Sequence, residues 1–333
     1  MKYIVSRLLW LPVVLLLVSS ATFLTLRIVP GDPIDLLATQ QLNAEEMARV
    51  RQEWGLDKPI SAQYVAFLKG LVRGDLGISM TSGVPVKRML FQRLPPTIEL
   101  AVVAIIISTI LGVGAGIISS VTNSQVLDAS IRALATLGFS MPWFWIAIML
   151  IVVFSVELGW LPVSGRISGS LDYETITNFM LIDHIITGNW EALVSFLKHL
   201  ALPALAIGLT SAGFVSRLTR ATMLEILQQN YVRAARARGL RQRTVLAVHA
   251  LRNALLPIIT MQGLQLGALL GGAVITEMVF SWPGAGRLLI DAILRRDYPV
   301  VQGTVIAIAF FYVITNMAVD LLYYAVDPRL RRE

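Results

Sequence analysis

The sequence predicts an all-α integral membrane protein of six transmembrane helices, and three observations carry that prediction. Of the 333 residues, 56% are hydrophobic and only 15% are charged, against about a quarter charged in an ordinary soluble domain. The apolar residues gather into runs of roughly 20 or more, the length a helix needs to cross the hydrocarbon core of a bilayer. The charges collect between those runs, with arginine dominant in one connection.

Six runs qualify: 8–29, 98–121, 133–157, 199–219, 256–280 and 300–325. The first follows MKYIVSR and shares a basic start and small residues with secretory signals. It is longer than a typical signal core, so it reads as an uncleaved first helix. Positive residues in short connections set orientation. The 217–254 connection holds Arg217, Arg220, Arg233, Arg236, Arg238, Arg241, Arg243 and Arg252 against the single acid Glu225. The ends add Lys2, Arg7, Arg329, Arg331 and Arg332. With six spans these segments share one side, so both termini are expected in the cytoplasm. The connections 30–97, 158–198 and 281–299 then face outward. The first of these mixes both signs and is too long to set orientation.

Several functions are disfavoured at this stage, with a secondary transporter kept as the alternative of a different class. A pI near 9.9 fits nucleic-acid binding, but here the basic residues flank apolar spans rather than a soluble fold with stacking aromatics. The chain has no cysteine, which removes disulfides and thiolate metal sites. His184, His199 and His249 are too few and too scattered for a metal site. The sequence contains no G-x4-G-K-[ST] loop to cradle phosphates, and no serine, histidine and acid grouping points to nucleophilic catalysis. A secondary transporter normally shows internal repeats and ionisable residues at mid-membrane. No convincing repeat is present, and Glu99 and Glu277 fall near predicted span ends.

Residues 231–257, YVRAARARGLRQRTVLAVHALRNALLP, hold six arginines and no acid. Charge alone would serve as an orientation signal. The order within the stretch asks for more. Ala234, Ala235 and Ala237 lead to Gly239, a helix stop, because glycine accepts the left-handed conformation at the position after a helix. A second short helical stretch is expected at roughly 241–250, before Pro257 opens the next span. Small residues beside a glycine break allow a partner protein to approach closely, and the arginines offer it charge. The candidate docking residues are Tyr231, Arg233, Ala234, Ala235, Arg236, Arg238, Gly239, Leu240 and Arg241.

The fifth span carries two further patterns. Gly263, Gly267 and Gly271 recur every four residues, a narrow stripe on which a neighbouring backbone can pack. At 100° per residue, Gln262, Gln265 and Thr276 fall together on another face. Polar groups in hydrocarbon are costly without water or a partner, so this face either hydrogen-bonds a neighbouring helix or lines a translocation path. Asn316 and Asp320 read as packing or interfacial groups. In the long first connection AEEMARVRQEWGL reads as a helix, with acids early and bases late, that caps the bundle. Residues 281–299 read as a further helix started by their proline and glycines.

The 231–257 stretch resembles the E-A-A-x3-G-x9-I-x-L-P motif of importers of the ATP-binding cassette class. Here Arg233-Ala234-Ala235 is followed after three residues by Gly239 and after nine more by His249. The variant is similar to that of dipeptide, oligopeptide and nickel permeases. PGDP (30–33), GLDKP (55–59), GDLGIS (74–79), GWLPVSGR (159–166), FSWPGAGRL (280–288) and RDYPVVQ (296–302) match the same family in order. Two departures stand out. Arg233 replaces the motif's glutamate, so no salt bridge from that acid carries over, and the proline is delayed to Pro257.

The resemblance implies a type I ABC importer transmembrane fold in a bacterial inner-membrane protein. It implies a first helix with a long extracytoplasmic loop (1–93), a permease domain (94–328) and a cytoplasmic tail (329–333). It also implies a set of partners: a second homologous permease, two ATPase subunits that hold the ATP and Mg, and an extracytoplasmic binding protein that also meets the long first loop. No cofactor or nucleic acid is implied for this chain, which meets lipid directly. Dipeptides or short oligopeptides are the implied substrates, with glutathione-like peptides or nickel as alternatives. Closure of the ATPases would drive the loop's short helices together and rock the bundles between inward-open and outward-open states.

Overall fold

A computed structural model describes residues 2–28, 34 and 44–326. The side chains of Lys2 and Arg7, the PGDP stretch at 30–33 and the arginines at 329, 331 and 332 lie outside the described residues. Among the described residues every regular element is a helix, with only an isolated antiparallel bridge between Ile78 and Pro85. Among the described residues five helices are long and apolar enough to cross a membrane, six if the bent pair 125–140 and 143–157 is counted as one span.

Most spans run past their hydropathic cores. The first is Lys2–Ile28 and the second Val86–Val121. The fourth, Trp190–Leu227, has 38 residues, roughly 57 Å at 1.5 Å per residue, so it projects well beyond a bilayer core. It starts where Asn189 accepts from the Ala192 N–H at 3.0 Å, a side-chain cap that satisfies an orphan donor. The last span is Tyr298–Val326.

Two expectations are corrected. The third span is not one helix over 133–157 but Gln125–Ser140 and Trp143–Glu157, bent by 104°. Met141 stands before Pro142, whose ring disfavours the helical conformation in the preceding residue, and Met141 is extended at φ −77 and ψ 136. In the fifth span Pro257 does not open the helix. The chain is helical from Gln242, passes through a π-helical stretch at Val245–Leu251 and continues over Arg252–Gly272 with Pro257 inside. Packing neighbours in a membrane bundle make an internal proline tolerable. The apolar run expected to reach 280 breaks at Ala273 into a separate short helix, Val274–Val279.

The chain forms two compact units. The first comprises Met1–Thr97 and Pro283–Phe311. It contains the expected helix of the long first connection, Ala44–Glu53, a further helix there that was not expected, Ile60–Val72, and the expected Ala285–Leu294. Its apolar core joins Val86, Leu90, Leu288, Ala292, Val300 and Val301. Asp297 ties the 79–81 turn to this core. Its carboxylate accepts from Ser79 Oγ at 2.5 Å, Thr81 Oγ1 at 2.8 Å and the N–H groups of Met80 and Thr81.

The second unit, Ile98–Trp282 and Tyr312–Glu333, is organised on the fourth span. Small residues let helices approach it closely. A Cβ at Gly112 would meet Val215 at 2.7 Å, and one at Gly116 would meet Thr219 at 2.6 Å. This Gly112-x3-Gly116 pair is a close-packing motif. From the other side a Cβ at Gly208 would meet Ile107 at 2.7 Å. The stripe predicted on the fifth span is also used: Gly263 lies against Val319 and Gly267 against the Tyr312 ring, which a Cβ would meet at 3.0 Å, both on the last span. The surroundings of Gly271 lie outside the described residues.

One buried ion pair fixes the segment between the third and fourth spans. Arg166 donates to the Glu99 carboxylate and, at 2.7 Å, to the Asn178 carbonyl. The Leu181 N–H donates to the other Glu99 oxygen at 2.9 Å. Burial lowers the pKa of Arg166, against the raising effect of the Glu99 charge. Nearby, Asp183 accepts from the N–H groups of Ile176, Thr177 and Asn178 and from Thr177 Oγ1. Burial pushes its carboxyl up, but these donors together hold it below the usual carboxylate range.

Candidate functional site

The basic connection folds into a single amphipathic helix, Asn230–Ala237. Val232 and Ala235, three residues apart, turn inward onto Val245 with Ile226 and Leu227 alongside. Every other predicted docking residue is therefore turned out: Tyr231, Arg233, Ala234, Arg236, Arg238, Gly239, Leu240 and Arg241 are all exposed. Ala235 is the exception, since it belongs to the inner face that anchors the helix. Tyr231 is held in place, its hydroxyl accepting from Asn253 Nδ2 at 2.9 Å.

Gly239 ends this helix as its position in the sequence requires. Its φ is +78, in the left-handed region. The Gly239 N–H bonds to the Arg236 carbonyl and the Leu240 N–H to the Ala235 carbonyl. That pair of bonds is the Schellman arrangement, which satisfies the orphan carbonyls at a helix end. No second short helix over 241–250 stands apart, because those residues belong to the helix that becomes the fifth span.

The exposed charge is more localised than the sequence implies. Arg217 and Arg220 lie within the fourth span, not in the connection. The Arg217 guanidinium covers the Phe139 ring at 4.2 Å. Arg220 grips both oxygens of Asp128, at 2.9 and 3.0 Å, and also donates to Ser119 Oγ. These two arginines brace helices. The arginines left exposed are those at 233, 236, 238, 241, 243 and 252.

The three residues of the candidate translocation face separate. Gln262 is buried and its Nε2 donates to Thr109 Oγ1 on the second span at 2.7 Å. Gln265 shares the Arg252–Gly272 helix, but Thr276 lies beyond the Ala273 break on its own short helix, so one helical wheel does not relate all three. Gln262 Oε1, Gln265 Oε1 and Thr276 Oγ1 are each buried without a hydrogen-bond partner in the protein. Three unmet polar atoms in one apolar bundle are unusual. Among the described residues no group of three or more His, Cys, Asp or Glu is placed to hold a metal ion.

Sequence reasoning passed over the Glu99–Arg166 pair, the Asp297 turn and the Gly112/Gly116 contact. The first two left a trace: Arg166 ends GWLPVSGR, Ser79 ends GDLGIS and Asp297 sits in RDYPVVQ. Those segments were legible as a family pattern before their bonds were visible.

Residues 109–332 match the family described as "Binding-protein-dependent transport system inner membrane component". The chain belongs to that family. Residues 1–101 match the N-terminal part of the same type of membrane component. The chain is 44% identical over 320 residues to the dipeptide transport system permease protein DppB of Escherichia coli strain K12, covering 95% of this chain and 94% of that one. It is 42% identical over 321 residues to the di/tripeptide permease protein DppB of Pseudomonas aeruginosa, with 95% and 94% covered. The glutathione permease protein GsiC of Escherichia coli is 38% identical over 331 residues, with 99% of each chain covered. A chain of the inward-facing MetNI methionine ABC transporter superposes with a TM-score of 0.55 at 16% identity, covering 72% of this chain and 96% of that one. This likeness shows the fold, the type I ABC importer transmembrane arrangement expected from the sequence. The family's members are multi-pass inner-membrane permeases, and this chain is one.

Proposed function

We propose that this chain is the permease subunit of an ATP-driven importer of dipeptides or short oligopeptides. The observation that carries the reading is its near full-length similarity to two dipeptide permeases. The similarity to GsiC supports a glutathione-like tripeptide as the alternative cargo within the same mechanism. The chain works with a second homologous permease, two ATPase subunits that bind ATP and Mg, and an extracytoplasmic binding protein. The exposed, acid-free surface of Asn230–Ala237 and its glycine-capped end support its role as the element that docks on an ATPase. Both termini are cytoplasmic in this reading, as the charge bias requires.

Co-purification and labelling test the assembly and its orientation together. A tagged chain is expected to bring down a second permease and two ATPases, and the reconstituted complex to move a labelled dipeptide only with ATP. Cysteines introduced at positions 2 and 331 should react from the cytoplasmic side and one at 60 from outside. Transport by the chain alone, or labelling of position 331 from outside in intact cells, overturns the reading.

The translocation path runs along Gln262, Gln265 and Thr276, whose unmet oxygens are suited to water or passing peptide groups. Gln262→Leu combined with Gln265→Leu should reduce uptake roughly tenfold or more, the effect of losing one or two polar contacts. The yield of assembled complex should change less. Gly263→Leu should do the reverse, lowering yield because the added side chain collides with Val319. Normal uptake by the glutamine double variant shows that these residues only join helices.

A further inference from the structure

We propose that a cavity at the end of the first span binds a phosphate oxyanion, and that the phosphate belongs to an anionic phospholipid. The cavity, about 330 Å³, lies wholly within the first compact unit and is walled by Phe23, Trp54, Phe67 and Tyr298 with Arg27 and Gln302.

Two of the polar side chains that line it, Arg27 and Gln302, carry its unmet donors. Gln302 is only 6% exposed, and its Nε2 donates to nothing in the protein. Arg27 donates from Nη2 to Gln63 Oε1 at 3.1 Å, while its buried Nε and Nη1 have no acceptor. Native proteins leave few buried donors unmet, because each one forfeits its bonds to water. Two side chains of the cavity wall therefore carry three unmet nitrogen donors, one side chain being cationic, and they suit an acceptor-only, negatively charged ligand.

The rings strengthen this reading. The Arg27 guanidinium lies 3.8 Å from the centroid of Phe23 and 5.0 Å from that of Tyr298. Such stacking fixes its plane and shelters its charge but leaves its edge N–H groups unused. No ion pair to Arg27 occurs among the described residues. Glu53 and Lys58, both exposed on the lining, offset one another, so the net charge of the site is that of Arg27. Planar guanidinium groups suit phosphate oxygens, which can accept from several directions at once.

Position selects the source of the phosphate. Arg27 is in the last turn of the apolar helix Leu9–Ile28, little of which is covered by the chain. Span ends rich in arginine, tyrosine and tryptophan sit at the headgroup level of a bilayer. Phospholipid phosphates lie at that depth, and the ring walls suit the carbon atoms beside a headgroup.

The test uses the full-length chain, delipidated in a neutral detergent, with its thermal midpoint and tryptophan fluorescence read against added probe. Dihexanoyl phosphatidylglycerol should bind saturably, and dihexanoylglycerol, which lacks the phosphate, should not. Arg27→Gln should weaken binding about tenfold or more, as expected for lost charge-assisted hydrogen bonds. Gln302→Met should weaken it by less, and Arg73→Gln, exposed and outside the cavity, should leave it unchanged. If Arg27→Gln does not fold, Arg27→Lys and Gln302→Met carry the comparison. Inorganic phosphate binding as tightly as the lipid, with the same dependence on Arg27, supports the phosphate site and overturns the lipid as its source. Equal binding of the phosphate-free probe, or wild-type affinity in folded variants of both Arg27 and Gln302, overturns the proposal.

Discussion

Glu99→Gln is expected to destabilise the chain by about 3–5 kcal/mol, the usual cost of removing one partner from a buried ion pair. The geometry at this site favours the upper part of that range. Arg166 is 8% exposed and is surrounded by the rings of Phe196 and Trp282 at 5.8 and 6.0 Å. With Gln at 99, the guanidinium keeps the Asn178 carbonyl and a neutral amide oxygen as acceptors, and the charge of Asp183 is left as its nearest compensation. Arg166→Leu should be similarly damaging, because it strands the Glu99 carboxylate against the Leu181 N–H alone. The double variant Glu99→Leu/Arg166→Met should recover much of the loss, since apolar replacement of a whole buried pair is often close to neutral. Thermal unfolding in detergent, with trypsin resistance as a second readout, measures all three. A Glu99→Gln midpoint indistinguishable from wild type would show that the pair contributes little.

The parts of the fold that were legible in the sequence are those set by local chemistry. Span existence follows from apolar length, and the Gly239 stop follows from a conformation that few other residues accept. The helices Ala44–Glu53 and Ala285–Leu294 follow from charge order and from Pro283–Gly284. Misplaced boundaries have a shared cause. Hydropathy marks where a helix meets lipid, whereas backbone hydrogen bonds continue well past that boundary, so the fourth span begins at Trp190 and the fifth helix at Gln242.

Contacts between distant residues were not legible. Glu99 and Arg166 are 67 positions apart, and only folding reveals that one meets the other. The same holds for Asp297 and Ser79. Arg217 and Arg220 look like loop charges in the sequence because nothing local separates an arginine facing a partner from one braced on Phe139 or Asp128. The exposed basic surface of this connection was legible as a composition but not as a face. The inward turn of Ala235 required the three-residue spacing with Val232 to be read against a specific neighbour, Val245.

Gly239→Val is expected to uncouple the transporter, with ATP still hydrolysed and peptide no longer moved. Gly239 sits at φ +78, where an ordinary L-residue pays about 1–2 kcal/mol and a β-branched one fits worse still. Nothing lies within 4 Å of where its Cβ would be, so the strain is confined to the backbone and no neighbour is displaced. The bundle should therefore fold and assemble. The affected element is the Schellman turn, which sets the angle between the exposed helix Asn230–Ala237 and the helix that resumes at Gln242. Relaxing that turn re-aims the arginine-bearing face while its anchor, Val232 and Ala235 on Val245, remains in place. Gly239→Asn should keep most of the transport, since asparagine tolerates the left-handed conformation, and Arg236→Lys should do little harm because the charge remains. Purified complex carrying each variant, assayed for dipeptide uptake and ATP turnover in the same vesicles, separates the outcomes. Normal transport with normal turnover in Gly239→Val would mean that the connection orients the chain in the membrane and does not dock an ATPase. Loss of turnover together with transport would place the defect in assembly rather than coupling.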